Sequence, residues 1–128
     1  MAVDKEMSVL IIDDYQTMRG VIRNLFNQLG FYNTIEAATT DEALEILQKQ
    51  SCGLVIFDWR TGPMSGEDFL KTIRSNEQLK NTPFVVVSAE SNQELSSVMR
   101  DAGAADFIAK PFTKATLRKR MTALFGSF

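Results

Sequence analysis

Histidine is missing from this chain altogether, and cysteine occurs once, at Cys52. The first absence removes histidine general bases, serine or cysteine triads built on histidine, and histidine metal sites. The second removes an internal disulfide and a cysteine metal cluster, and it agrees with a reducing compartment. No apolar run approaches the roughly 18 residues of a membrane span. Residues Met1 to Glu6 carry charges and no long apolar region, so they do not read as a signal peptide, and the cytoplasm is the expected location. An excess of positive charge is also lacking. Fourteen Lys and Arg against sixteen Asp and Glu leave −2, with a pI of about 5.1, which argues against a nucleic-acid-binding body.

What the chain does have is enough apolar material for a core: 45% of 128 residues. That length suits one domain over 1–128 that needs no disulfide or metal staple to fold. The apolar pattern predicts strands at about 8–13, 34–38, 53–58, 83–88 and 106–109, and helices at about 15–29, 40–50, 66–75, 92–102 and 113–125. In the first helix Met18, Val21, Ile22, Leu25, Phe26 and Leu29 form a one-sided stripe, and Gly30 is a natural stop. Leu95, Val98, Met99 and Ala102 before Gly103 repeat the pattern, as do Leu117, Met121, Leu124 and Phe125 in the last helix. Thr39-x-x-Glu42 and Ser91-x-x-Glu94 have the form of capping boxes. The strands are near-continuous apolar runs, as expected when helices cover both faces of a sheet. Strand then helix, five times, implies an α/β fold with a parallel sheet and right-handed crossovers. There is no internal repeat, low-complexity stretch or linker. The chain ends about where the last helix ends, so a single module without an output domain is expected.

The polar residues at the ends of the apolar runs suggest the chemistry. Asp13 and Asp14 follow Val9–Ile12, and Asp58 follows Leu54–Phe57. Ser88 ends the fourth run, and Lys110-Pro111 closes the fifth. Ligands of open parallel sheets sit beyond the carboxyl ends of the strands. Clustered carboxylates repel, and a hard divalent cation such as Mg²⁺ relieves that repulsion and bridges to phosphate oxygens. Each residue alone has a plainer reading. The acid pair reads as a helix N-cap, Asp58 as a turn residue, Ser88 as a capping hydroxyl and Lys110 as a solvated lysine. Their joint placement favours the site.

These residues, with Thr17-Met18-Arg19, Asp58-Trp59, Met64-x-Gly66, Leu70-Lys71-Thr72-Ile73-Arg74, Ser88-Ala89-Glu90, Ala102-Gly103-Ala104 and Lys110-Pro111-Phe112-Thr113, give the chain a resemblance to response-regulator receiver domains over nearly its whole length. Within them it is most similar to the single-domain chemotaxis regulators of the CheY type. The resemblance implies a flavodoxin-like, doubly wound, five-stranded parallel sheet of order 2-1-3-4-5. It implies Asp58 as phosphoacceptor, taking its phosphoryl group from a phosphohistidine on a partner histidine kinase. It also implies Mg²⁺ on Asp13, Asp14, Asp58 and the backbone carbonyl of Arg60. Lys110 would contact the carboxylate and then the phosphoryl oxygens, Ser88 would swing to bond the phosphoryl group, and the Lys110–Pro111 peptide would be cis. The expected role is signalling by protein–protein contact, in chemotaxis at a flagellar switch protein, by a cytoplasmic monomer whose only catalysis is its own phosphorylation and dephosphorylation. A phosphatase is a further implied partner; nucleic acid and membrane are not. A relative that drains phosphoryl groups or serves another pathway, and a pseudo-receiver that binds without phosphorylation, are the alternatives. A metal-dependent phosphatase would want a second acid two places after Asp58, where Arg60 stands.

Several features depart from that pattern. Phe107 stands where these regulators usually carry tyrosine; it reads either as buried core or as a ring that turns inward with Ser88. Arg60 replaces the usual asparagine and is either solvated or reaches Glu90 or the phosphoryl group. Thr61-Gly62-Pro63-Met64 places its proline one position late, and Gly62 adds flexibility. On the last helix Lys114, Arg118, Lys119 and Arg120 form either a solvated face or a surface that steers an acidic partner, with Phe107 and Glu90 on the switch side. Cys52 is expected to pack near the start of the third strand.

Overall fold

The computed structural model describes residues 4–90 and 93–126. The chain alternates β1 (Val9–Ile12), α1 (Gln16–Gln28), β2 (Thr34–Ala37), α2 (Thr40–Lys49), β3 (Leu54–Asp58), α3 (Gly66–Arg74), β4 (Phe84–Ser88), α4 (Gln93–Ala102), β5 (Asp106–Ala109) and α5 (Lys114–Phe125). All strands pair in parallel, in the order β2-β1-β3-β4-β5. This is the α/β sheet expected, and each predicted element lies within a residue or two of the observed one.

Alternate residues of the central strands feed two separate cores, because successive side chains point to opposite faces. Val9, Ile11, Leu54, Ile56, Val85 and Val87 pack with Ile22 and Phe26 of α1 and Leu117 and Met121 of α5. Leu10, Ile12, Val55, Phe57, Phe84 and Val86 pack with Ala43 and Leu47 of α2, Phe69, Leu70 and Ile73 of α3, and Met99 of α4. Val21, expected in the apolar stripe of α1, is 47% exposed; it lies at the margin of the stripe. Cys52 is buried beside the start of β3, and burial pushes its thiol above the usual range.

Local chemistry sets the element ends. Thr39 Oγ1 accepts the Glu42 N–H at 3.1 Å, as its capping motif predicts. Ser91, the other predicted cap, lies outside the described residues. Ser65 and Thr113 cap α3 and α5 in the same way, accepting from Asp68 and Thr116 at 3.2 Å each. After α1, Gly30 takes φ 98° while its N–H bonds Asn27 O and the Phe31 N–H bonds Phe26 O, the paired bonds of a left-handed helix stop. Among the described residues no helix is long and apolar enough to cross a membrane.

Candidate functional site

The carboxyl ends of β1, β3, β4 and β5 lie side by side, so Asp13, Asp58, Ser88 and Lys110 meet at one edge of the sheet. Asp13 is fully buried. Its Oδ1 accepts the Tyr15 N–H at 2.9 Å and its Oδ2 accepts from Lys110 Nζ at 2.8 Å. Asp58 has 12% of its side chain exposed; its Oδ1 accepts the Arg60 N–H at 3.0 Å and its Oδ2 accepts from Lys110 Nζ at 2.7 Å. Lys110 therefore bridges two carboxylates across 97 and 52 residues of sequence. The peptide before Pro111 is cis, as the resemblance implied, and so is the one before Pro63.

Asp14 is exposed at the mouth, and carboxylate oxygens of Asp13, Asp14 and Asp58 come within 4.8 Å of one another. Three hard oxygen donors at that spacing, one facing solvent, suit a divalent cation that keeps several waters. Burial pushes the Asp13 carboxyl above the ordinary aspartate range, against the opposing pull of Lys110 and the Tyr15 N–H. Burial also disfavours the charged form of Lys110, but its hydrogen bonds to Asp13 and Asp58 prevail, and its pKa lies above the usual lysine value. The N-cap reading of the acid pair does not hold: α1 is preceded by Tyr15, and no side chain caps it.

A cleft of about 510 Å³ opens over this group, lined by Asp14, Asp58, Arg60 and Lys110 and walled by Tyr15 and Met18. Arg60 forms an ion pair with Glu90, the contact that one reading expected, while its side chain stays mostly exposed to solvent, as the other did. Ser88 is buried at the end of β4, where its hydroxyl accepts the Glu90 N–H at 3.1 Å. The structure does not bring Phe107 or Lys114 to the acids. Phe107 is half-buried: it packs against the core on one side, as the plainer reading expected, and borders a separate cavity of about 340 Å³ with Arg100, Asp106 and Arg120 on the other. Lys114 is exposed at the first turn of α5.

Sequence reasoning missed two supports. Arg19 Nη1 donates to the Asp13 carbonyl at 2.7 Å, while its Nε reaches Glu36 Oε1 at 3.1 Å and Arg23 holds Glu36 Oε2 at 2.7 Å. Thr40 grips the loop after Asp58, its N–H bonding Gly62 O at 2.9 Å and its Oγ1 accepting the Met64 N–H at 3.1 Å. Helical spacing places Arg19 and Arg23 on one face, but their common partner on β2 has no local signature.

The fold and the acid–lysine edge are those of a signalling receiver domain. The chain belongs to the response regulator receiver domain family, whose pattern matches residues 9–122. It is 41% identical over 123 residues to the chemotaxis protein CheY-3 of Vibrio cholerae, covering 96% of this chain and 95% of that one. Against the chemotaxis protein CheY of Pseudomonas aeruginosa it is 36% identical over 119 residues, covering 93% and 96%. The solved structure of the chemotaxis response regulator CheY4 of Vibrio cholerae superposes with a TM-score of 0.86 at 29% identity, covering 94% of this chain and 99% of that one.

Proposed function

We propose that this chain is a stand-alone, cytoplasmic phosphoacceptor regulator, a single receiver domain over 1–128, modified on Asp58 by a partner histidine kinase. The single observation that carries this is Lys110 Nζ bonded to both Asp13 and Asp58 at 2.7–2.8 Å, beside a third carboxylate at the cleft mouth. Asp58 attacks the phosphorus of the donor phosphohistidine. A carboxylate oxygen–phosphorus bond forms, the phosphorus–nitrogen bond breaks, and the imidazole leaves with a proton. Asp13, Asp14, Asp58 and the Arg60 carbonyl would hold Mg²⁺. When bound, the cation offsets the charge of the carboxylates and of the incoming phosphoryl oxygens. Lys110 exchanges a carboxylate contact for a phosphoryl oxygen, and Ser88 gives up the Glu90 N–H to donate its hydroxyl to another. Those new bonds favour one arrangement of the surface around Phe107, Glu90 and Lys114, and a target reads that population. Water later cleaves the acyl phosphate, with or without a phosphatase.

The relatives' names support chemotaxis; a flagellar switch protein is the target proposed here, and the monomer the proposed working form. The competing role, a regulator that drains phosphoryl groups or serves another pathway, shares the same site and differs only in its target. Intact-mass analysis after incubation with acetyl phosphate and Mg²⁺ tests the chemistry. One added phosphoryl group is expected in the wild type and none in Asp58→Asn. Equal labelling of both, or of neither, rejects the assignment. Binding of a switch-protein peptide that tightens on phosphorylation supports the motor role, and indifference to phosphorylation rejects it.

A further inference from the structure

The segment after Asp58 is where the chain departs most from its family's pattern, and Gly62 is expected to loosen it. Instead the segment is held at both ends. At its start the Asp58 carbonyl accepts the Thr61 N–H at 3.0 Å, and Asp58 Oδ1 accepts the Arg60 N–H at 3.0 Å. At its far end Thr40, wholly buried at the first turn of α2, donates its N–H to Gly62 O at 2.9 Å and accepts the Met64 N–H on Oγ1 at 3.1 Å. Thr61 is buried too, but its hydroxyl has no partner among the described residues, so it does not anchor the loop. Nor does α2 need the Thr40 hydroxyl, because Thr39 already supplies its cap.

We propose that Thr40 is a positioning residue for the cation site. It does not line the cleft, and its hydrogen bonds to this segment go to Gly62 and Met64. It fixes Gly62 and Met64, so the Arg60 peptide is suspended between a point set by Asp58 and a point set by α2. A backbone carbonyl held ready for a metal loses less freedom on binding than one in a mobile loop, and partners of this kind tune metal affinity. The proposal rests on the assignment of Asp13, Asp14, Asp58 and the Arg60 carbonyl to Mg²⁺.

Trp59, the only tryptophan, lies between Asp58 and Arg60, so its fluorescence is the probe chosen for metal binding, with calorimetry beside it. In a Mg²⁺ titration, Thr40→Val is expected to bind about three- to tenfold more weakly than the wild type, the weight of one neutral hydrogen bond. Thr40→Ser, which keeps the hydroxyl, is expected to stay within about twofold. A folded Thr40→Val that binds Mg²⁺ as the wild type does, with only its melting temperature lowered, would reduce Thr40 to a structural role and overturn the proposal. Amide exchange in the wild type decides the matter even if Thr40→Val does not fold. Coupling is reciprocal, so saturating Mg²⁺ must slow exchange at Met64 more than at Ala105, whose N–H bonds Phe84 O at the opposite edge of the sheet. Equal slowing at both amides overturns the coupling. A wild type that binds no Mg²⁺ by fluorescence or calorimetry removes the site assignment itself, and the proposal with it.

Discussion

Arg60 shows how one side chain changes the access to a site without belonging to its chemistry. Its guanidinium pairs with Glu90 at the rim of the cleft, and both side chains are more than half exposed. Such a pair adds little to stability, because water and salt screen it. Its consequence is steric and electrostatic: Arg60 and Asp58 line the same cleft, so the guanidinium puts bulk and charge on the way in to the carboxylate. Arg60→Asn removes that cover and leaves the carboxylates and Lys110 in place. The phosphorylated form of this variant is expected to lose its phosphoryl group severalfold faster, followed by mass spectrometry over time. An unchanged or slower decay would reject the role. The carboxylates themselves were visible from the sequence because each ends an apolar run. The Arg60–Glu90 contact stood there only as one of two readings, because nothing local decides where a long flexible side chain goes.

At the scale of elements, the ends of helices matter more than their middles. Arg74, the last residue of α3, joins three backbone segments. Its Nε and Nη2 donate to Gly103 O at 3.0 and 2.6 Å, its Nη1 donates to Lys80 O and Thr82 O at 2.7 and 2.8 Å, and the guanidinium lies 5.4 Å from the Phe84 ring centre. Gly103, at φ 108°, ends α4 and also makes room, since a Cβ there would meet Arg74 at 2.7 Å. Lysine cannot reproduce the planar fork. Arg74→Lys is therefore expected to lose about 1 kcal/mol by leaving the partly buried carbonyls of Gly103 and Thr82 short of donors, measured as a lower urea midpoint. An unchanged midpoint would show that water replaces the arginine at no cost. The helical stripe and Gly103 were readable in advance. The clamp was not, because Arg74 and Gly103 are 29 residues apart and neither carries a motif for the other.

For the molecule as a whole, the gathered acids set a conflict between folding and function. The Asp13 carboxyl is raised by burial, so the folded state holds that proton more tightly than the unfolded chain does. Stability from this group thus falls as pH rises from the unfolded aspartate value, about 3.9, through the higher folded one, and the deficit persists at neutral pH. Without Mg²⁺, Asp13→Asn is expected to melt above the wild type at about pH 7, with the gap closing at about pH 3, where Asp13 is protonated in the folded and the unfolded state alike. Added Mg²⁺ should raise the wild-type melting temperature by mass action and leave the variant unmoved. A variant that melts below the wild type without Mg²⁺ would show that the Lys110 contact outweighs the burial of the charge.

By itself the sequence determined the element order, the parallel sheet and the set of polar residues at the strand ends. These follow from local periodicity and from the rule that alternating strands and helices wind one way. Only the tertiary structure decided that Lys110 bridges Asp13 and Asp58, that Arg19 holds the Asp13 carbonyl, and that Thr40 pins the loop after Asp58. The Lys110 and Thr40 contacts join residues distant in the chain, and the energies of all of them depend on distance and burial, which appear only once the helices have packed on the sheet.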